Sequence, residues 1–236
     1  TRRNLLTEIL PVKDLPKLYN GYTKAVLLLL SEQVIEQHFE QLRALSMPIL
    51  TVNKQYDFSS AVCTDHGEGV RLALEHLHAN GHRRIAVTVD QFFNQAGRER
   101  LDAYRAFLAA HGLPELEPVM YTDLEPEGSN HRLLQLLKQQ PTALIACGEG
   151  VALPVLHELR HLGVRIPEDL SLITSELSGI SGWMTPELTT IDQELDQLAA
   201  ATVAELVKLI RHPDTPKGVH WLHTHLIVRN SVRNPA

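Results

Sequence analysis

The sequence predicts an α/β fold made of two doubly wound subdomains with parallel sheets. Short apolar runs of strand length alternate with segments of helical periodicity along almost all of the 236 residues, and the loops between them are short. The predicted strands are too many for one modest sheet, so we expect two subdomains. A hydrophobic content of 44% and a charged content of 21% are ordinary for a globular protein with a sizeable core.

The first part of the chain, up to residue 64, carries four predicted strands around one helix. The segment from Lys24 to Leu30 is almost entirely apolar, as expected for a strand that is buried on both faces. Ser31 is the predicted N-cap of a helix whose apolar residues recur at helical spacing as far as Leu45. The strands are predicted at residues 5–12, 24–30, 49–52 and 61–64.

The same alternation continues from residue 65 to the end. Asp65 is the predicted N-cap of a helix that ends at Asn80-Gly81, a pair that suits a left-handed helix stop. Strands are predicted at residues 84–89, 119–122, 142–147, 170–174 and 188–191, and further helices at 98–111, 130–140, 151–162 and 194–211. Residues 220–229 alternate between apolar and polar and are predicted to form a last strand or a hairpin.

Composition and charge exclude several classes of protein. A formal net charge of -6 argues against binding of DNA or of an acidic membrane through the overall field of this chain. Cys63 and Cys147 are far apart and border apolar runs, so we expect buried free thiols in a reducing cytoplasm. The polar start from Thr1 to Asn4 is unlike a signal peptide, and the longest apolar run, Ala25 to Leu30, is too short to span a bilayer.

One acidic residue follows a predicted buried strand in the second half of the chain. Glu176 comes just after the strand at 170–174, and the carboxyl ends of parallel strands are where open α/β sheets bind ligands. A solvated glutamate in a mobile loop explains the local pattern equally well.

Two histidine patterns raise the possibility of a metal site. His157 to His161 spell H-E-x-x-H, the pattern of zinc proteases. The apolar stripe of that helix would place both histidines on the opposite, solvent-facing side, and no third ligand is indicated. His223 and His225 share one strand face and could bind a metal, although a partly exposed strand with polar residues is the preferred interpretation. We therefore expect no metal, no cofactor and no catalytic residues.

Four segments resemble the LacI/GalR family of bacterial transcription regulators. Residues 75–86 contain EHL and GHRRIA, residues 166–173 read IPEDLSLI, residues 185–193 read TPELTTIDQ, and residues 226–231 read LIVRNS. They occur in the order and at the spacing of the family. The resemblance implies the effector-binding core of a regulator with the periplasmic-binding-protein type I fold, in which three crossovers join two subdomains around a ligand cleft.

The resemblance also implies domain boundaries. The crossovers would lie near Thr64, near Asp192 and near Lys217-Gly218. The N-terminal subdomain would comprise residues 1–64 and 192–217, and the C-terminal subdomain residues 65–191 and 218–236. Leu5 to Val12 aligns best with the second strand of the family, so we expect that the first βα unit and the DNA-binding head are missing from this chain and that the full protein is longer.

The resemblance further implies which residues bind the effector. Arg100 begins a segment similar to the family's RLxGF, whose arginine points into the cleft, and Glu176 matches an effector-binding aspartate. The two are therefore expected to lie opposite each other and to form a hydrogen-bonding clamp on the effector. Glu149, Asn53 and Asn94 are further candidates, each of which could equally be a solvated loop residue.

An aromatic side chain that could stack on a sugar ring, as the wall of the effector site, is indicated less directly by the sequence. Leu124 stands where several sugar-binding relatives have an aromatic residue. Trp183 could supply such a wall instead, or could pack at a subunit contact.

These implications lead to a functional hypothesis. The chain would be the ligand-sensing and dimerisation domain of a cytoplasmic LacI-family repressor that binds a small polar effector, such as a sugar or a derivative. It would form a homodimer or, as an alternative, a tetramer, and would reach operator DNA through a separate head, with no membrane contact. The alternative is a periplasmic-type solute-binding protein of a sugar transporter.

Overall fold

The computed structural model describes residues 7–89, 94–120, 126–148 and 150–235. The strands are β1 Val26–Leu28, β2 Ile49–Val52, β3 Ser60–Thr64, β4 Ile85–Val89, β5 Val119–Met120, β6 Ala143–Cys147, β7 Ser171–Ser175, β8 Thr189–Asp192, β9 Val219–Leu222 and β10 His225–Ile227. The α-helices are α1 Glu32–Gln37, α2 Phe39–Arg43, α3 His66–Ala79, α4 Gln95–His111, α5 Pro126–Lys138, α6 Ala152–His161 and α7 Leu195–Arg211. Two 3-10 helices span Val12–Tyr19 and Ser181–Trp183.

The strands form two sheets, as predicted. The first sheet has the order β1-β2-β3-β9, and all its neighbouring strands are parallel. The second has the order β10-β8-β7-β6-β4-β5 and is parallel except for β10, which pairs antiparallel to β8. Helices pack on both faces of the central strands β4, β6 and β7 of the second sheet and of β2 of the first, which explains why these strands are apolar on both sides.

Strand β4 shows how the alternation of side chains builds two cores. Ile85, Val87 and Val89 point to the face covered by α3 and α4. Ala86 points to the other face, together with apolar residues of α5 and α6. Successive side chains of a strand point to opposite faces, so a run that is apolar throughout requires cover on both sides.

The third crossover differs from the prediction. Val219–Leu222 pairs parallel to β3, from Ala61–Val219 to Thr64–Leu222, so this strand belongs to the first sheet. The chain then passes to the second sheet at His223 and Thr224, not at Lys217-Gly218. The prediction of one strand or hairpin over 220–229 is wrong for the same reason, because β9 and β10 lie in different sheets.

The start of the chain also differs from the prediction of a strand at 5–12. Residues 1–6 lie outside the described part, residues 7–11 form no regular element, and a 3-10 helix follows from Val12. Ile9 is 93% exposed, so this segment buries no apolar face against a sheet. The single helix predicted after Ser31 is two short helices, because the backbone of His38 leaves the helical conformation between them.

The H-E-x-x-H segment lies on α6, and both of its histidines are exposed, as predicted. Within the described ranges, no three His, Cys, Asp or Glu side chains are grouped so that they could hold a metal ion. Cys63 and Cys147 are buried free thiols. None of the helices that the structure describes is both long and apolar enough to cross a membrane.

Gly69 is a glycine that the packing requires. It lies inside α3, and a Cβ atom at this position would be 2.5 Å from Ile191 Cγ2 and 3.3 Å from Thr224 Oγ1. We expect Gly69→Ala to lower the free energy of unfolding by about 1–3 kcal/mol through overpacking, although alanine is the better helix former. Urea unfolding followed by circular dichroism measures this change.

The same helix offers a matched control. A Cβ atom on Gly67 would meet its nearest neighbour, the carbonyl oxygen of Glu99, at 3.4 Å, which is an ordinary contact. Gly67→Ala should therefore leave stability unchanged or raise it by up to about 1 kcal/mol. Equal stability of the two alanine variants would contradict the overpacking argument.

Candidate functional site: the cleft between the two sheets

The cleft lies where the carboxyl ends of strands from both sheets meet. Strand β3 ends at Thr64, and Asp65 leads directly to α3, which packs on the second sheet. Strand β8 ends at Asp192, and Glu194 leads into α7, which packs on the first sheet. Because both crossovers leave from carboxyl ends, these edges of the two sheets border one space. Ligands of open α/β sheets bind at such an edge.

Contacts from α4 bridge the two subdomains. The backbone N–H of Gln95 donates to Glu32 Oε1 at 2.8 Å, and the N–H of Gln55 donates to Gln95 Oε1 at 3.1 Å. A guanidinium nitrogen of Arg98 lies 3.8 Å from Glu32 Oε2. Glu32 and Gln55 belong to the first subdomain and the other two residues to the second, so these contacts join the subdomains directly.

Two buried polar side chains come together beside the first crossover. Arg100 of α4 is 6% exposed, and His66, the first residue of α3, is 7% exposed. Burial, followed by the positive charge of Arg100, lowers the pKa of His66 to about 3. The imidazole is therefore neutral at physiological pH beside a permanently charged guanidinium. A guanidinium can hold a carboxylate or a pair of adjacent hydroxyl groups in its planar fork.

Asn53 and Asn94 both lie at the ends of elements that border the cleft. Asn53 follows β2, and its Oδ1 accepts from the backbone N–H of Thr64 at 2.7 Å, which joins the ends of β2 and β3. Asn94 is the N-cap of α4, and its Oδ1 accepts from the N–H of Gly97 at 2.6 Å. Both amides are thus oriented by the backbone, and their contact with an effector stays a prediction.

Glu176 follows β7, as predicted, and it forms an ion pair with Arg229. One carboxylate oxygen, Oε2, accepts from Thr190 Oγ1 at 2.6 Å and from both terminal nitrogens of Arg229 at 3.2 Å. Despite its burial, which acts in the opposite direction, the hydrogen bonds from Thr190, Ser181 and Arg229 and the charge of Arg229 lower the pKa of Glu176 to about 2. Glu176 is thus held in an ion pair within the second subdomain, and its expected role opposite Arg100 in a clamp on an effector stays a prediction.

The remaining candidates are an exposed aromatic and two residues outside the described ranges. Trp183 ends a 3-10 helix in the loop after β7 and is 85% exposed. Glu149 and Leu124 lie outside the residues that the structure describes.

His66 and Arg229 were not among the predicted site residues. His66 follows a strand end and an N-cap aspartate, a position at the cleft edge that could have singled it out. Arg229 lies in the LIVRNS segment, but its partner is 53 residues away. Nothing in the local pattern of either segment indicates that pairing.

The comparisons with known sequences agree with this architecture. Residues 74–232, more than half of the chain, match the family model of the periplasmic binding protein-like domain. The HTH-type transcriptional repressor PurR of Glaesserella parasuis serovar 5 (strain SH0165) is 32% identical over 177 residues, which cover 71% of this chain and 52% of PurR. The probable HTH-type transcriptional repressor ExuR of Bacillus subtilis (strain 168) is 25% identical over 224 residues, which cover 92% of this chain and 66% of ExuR. This chain therefore spans less than two thirds of the length of either relative. Both are repressors, which agrees with the prediction that the chain is not an enzyme.

Solved structures of regulators have the same fold. A LacI family transcriptional regulator from Enterococcus faecalis V583 with bound ribose superposes with a TM-score of 0.79 at 26% identity, over 95% of this chain and 83% of the regulator. The transcriptional regulator CelR in complex with cellobiose superposes with a TM-score of 0.76 at 25% identity, over 94% and 71%. The predicted fold class is thereby confirmed. The chain belongs to the family of periplasmic binding protein-like domains, in the form that LacI-family regulators carry.

Proposed function

We propose that this chain is the ligand-sensing and dimerisation domain of a LacI-family transcriptional repressor, and that a small polar effector binds between its subdomains. The observation that carries the proposal is the burial of two polar side chains, Arg100 of α4 and His66 at the start of α3, on elements that border the cleft. A guanidinium presents its donors in a fixed planar fork, which suits the acceptor oxygens of a polar ligand in the cleft.

The proposed effector is a sugar or a sugar derivative. Hydroxyl pairs and carboxylates match the fork of Arg100, and both occur in sugars and sugar acids. Two regulators of the same fold were solved with ribose and with cellobiose. The proposed effector contacts are Asn53, Asn94, Arg100, Glu149, Glu176 and Trp183. For Glu176, the Oε1 atom, which accepts from the backbone N–H of Leu177, keeps capacity for a ligand hydroxyl.

Effector binding would act by favouring one arrangement of the subdomains. A ligand that contacts both sides adds to the contacts of Gln95 with Glu32 and Gln55, so it shifts the population towards the closed cleft. In a homodimer or a tetramer, such a shift would alter the spacing of the DNA-reading heads. These heads would bind operator DNA and would belong to a part of the protein outside this chain. The relatives are HTH-type repressors, which favours a cytoplasmic regulator over the transport alternative.

Trp183 has a second interpretation, in which the loop after β7 forms the subunit contact of the proposed dimer instead of an aromatic wall of the effector site. Trp183 and Ile180 are both exposed there. Exposed aromatic side chains are enriched at the cores of protein interfaces. Sedimentation equilibrium of the chain tests this part of the proposal, and a monomer at all concentrations would contradict it.

The effector site is tested by Arg100→Ala in a thermal-shift and calorimetry screen against D-ribose, cellobiose and D-glucuronate. For a probe that stabilises the wild-type chain, we expect binding to weaken about 10- to 100-fold, because a hydrogen bond to a charged group contributes about 1.5–3 kcal/mol. The matched control is Arg105→Ala on the same helix, where the exposed Arg105 pairs with Glu115. Equal affinity of the two variants would contradict the placement of the effector at Arg100.

A further inference from the structure

Among the described residues, five buried side-chain atoms have no hydrogen-bond partner: Thr64 Oγ1, His66 Nε2, Thr88 Oγ1, Glu158 Oε2 and Thr174 Oγ1. Such atoms are uncommon in native proteins, and each one requires an explanation. Two of them, on Thr64 and His66, lie two residues apart at the carboxyl end of β3. The others lie in the second subdomain, on β4, α6 and β7.

We infer that His66 is an effector-contacting residue and that its Nε2 atom is kept unpartnered within the protein to bind a hydroxyl group of a polyhydroxylated ligand. The inference rests on the proposed function, and it adds a residue that neither the family resemblance nor the comparisons assign. Three observations support it, namely the burial of the ring, its place at the crossover and the absence of a partner for its Nε2 atom among the described residues.

His66 lies at a fixed place on the edge of the cleft. His66 is the first residue of α3, immediately after the crossover residue Asp65, whose side chain caps the helix by accepting from Glu68 N at 2.8 Å. The cap fixes the start of α3, and with it the place from which the imidazole extends. The nearby Thr64 has its N–H satisfied by Asn53, whereas its hydroxyl has no partner. Two polar groups without partners thus stand at one strand end that borders the cleft.

The charge and hydrogen-bonding capacity of His66 and Arg100 define the class of ligand. The permanent charge of Arg100 disfavours protonation of the His66 imidazole. A bound ligand would therefore contact a neutral imidazole and a charged guanidinium. A neutral imidazole donates or accepts one hydrogen bond at Nε2, depending on its tautomer, and a hydroxyl group can match either role. The ligand class is therefore a polyol or a sugar acid whose adjacent oxygens reach Arg100 and whose next hydroxyl reaches His66. A cationic ligand is disfavoured.

A matched pair of histidines makes this inference testable. His82 is also buried, but both of its ring nitrogens are bonded, Nδ1 to Thr142 Oγ1 and Nε2 to Arg233 O, each at 2.9 Å. If Nε2 of His66 is held for a ligand, His66→Leu removes an unsatisfied polar atom and should raise the melting temperature of the ligand-free chain by about 2–4 °C. His82→Leu should lower it.

Binding supplies the second readout. With whichever of D-ribose, cellobiose and D-glucuronate stabilises the wild-type chain, we expect about 10- to 100-fold weaker binding by His66→Leu and partial rescue by His66→Gln, whose amide keeps a hydrogen bond near the position of Nε2. An affinity of His66→Leu within twofold of wild type, or a fall in its ligand-free melting temperature like that of His82→Leu, would overturn the inference and leave the proposed function standing. If no probe stabilises the wild-type chain, the proposed sugar-binding function fails and the inference falls with it.

Discussion

Glu176→Gln is expected to lower the free energy of unfolding at neutral pH by about 2–4 kcal/mol. The carboxylate and the guanidinium of Arg229 are largely buried, with 13% and 18% of their side chains exposed. Glutamine keeps the size of the side chain but removes the charge, so the partly buried cation loses its counter-ion. Arg229 also donates to the carbonyl oxygen of Leu188 at 2.6 Å and to Thr190 Oγ1 at 3.0 Å, and it ties the end of β7 to β8. Chemical denaturation at pH 7 measures the loss.

The pH dependence of the same pair has a definite sign. Glu176 has a folded pKa of about 2 against a reference value of 4.5, so the unfolded state takes up its proton first as the pH falls. The contribution to stability is complete above about pH 5 and is lost progressively towards pH 2. The wild-type chain should therefore lose more stability over this range than Glu176→Gln. Parallel acid profiles would contradict the assignment.

Asp169 offers a control with an equally low pKa. A hydrogen bond and an ion pair with Arg165 lower the pKa of Asp169 to about 2 as well. Both of these side chains are exposed, and solvent screens such pairs, so Asp169→Asn should change stability far less than Glu176→Gln. A similar loss in both variants would show that the burial of the Glu176 pair has no special effect.

The predicted elements and the observed ones agree where local pattern decides the structure. Ile85–Val89 is apolar because both faces of its strand are covered, and a single window of sequence shows this. The run from Lys24 to Leu30 is less well covered than predicted, since only Val26–Leu28 forms a strand and Leu29 is 75% exposed. Ser31 and Asp65 begin helices, as predicted, since a short polar side chain accepts from a backbone N–H three residues on. Alternation of such segments then limits the fold class to parallel sheets between layers of helices.

The local sequence pattern does not determine which strands pair in a sheet or which side chains pair with each other. The segment 220–229 alternates as one strand, yet β9 joins β3 and β10 joins β8, because the chain crosses between subdomains at Thr224. The acid after β7 was identified as a site residue from its position at a strand end. Its pairing with Arg229 depends on how the end of the chain returns beside β8, which no spacing within either segment specifies. Contacts between subdomains, such as Gln95 with Glu32, depend in the same way on the relative placement of two separate sheets.

His82→Leu is expected to lower the free energy of unfolding by about 3 kcal/mol, through loss of the hydrogen bonds that join three distant segments. His82 is 1% exposed. Arg233 O can only accept, so Nε2 carries the proton, and Nδ1 of the neutral ring accepts from the hydroxyl of Thr142. Burial lowers the pKa of His82, which keeps the ring in this neutral form.

Leucine fills the space of the ring but leaves the carbonyl oxygen of Arg233 buried without a donor. The turn after α3, the start of β6 and the C-terminal segment would then be held by fewer contacts, so hydrogen exchange in these three regions should accelerate together in His82→Leu. In His66→Leu, hydrogen exchange of the same amides should slow or stay unchanged, because the wild-type His66 ring makes no such hydrogen bonds. The two variants are expected to change the stability of the chain in opposite directions, because the two buried imidazoles differ in one respect. In His82 both nitrogens have partners within the chain, whereas in His66 the buried Nε2 has none.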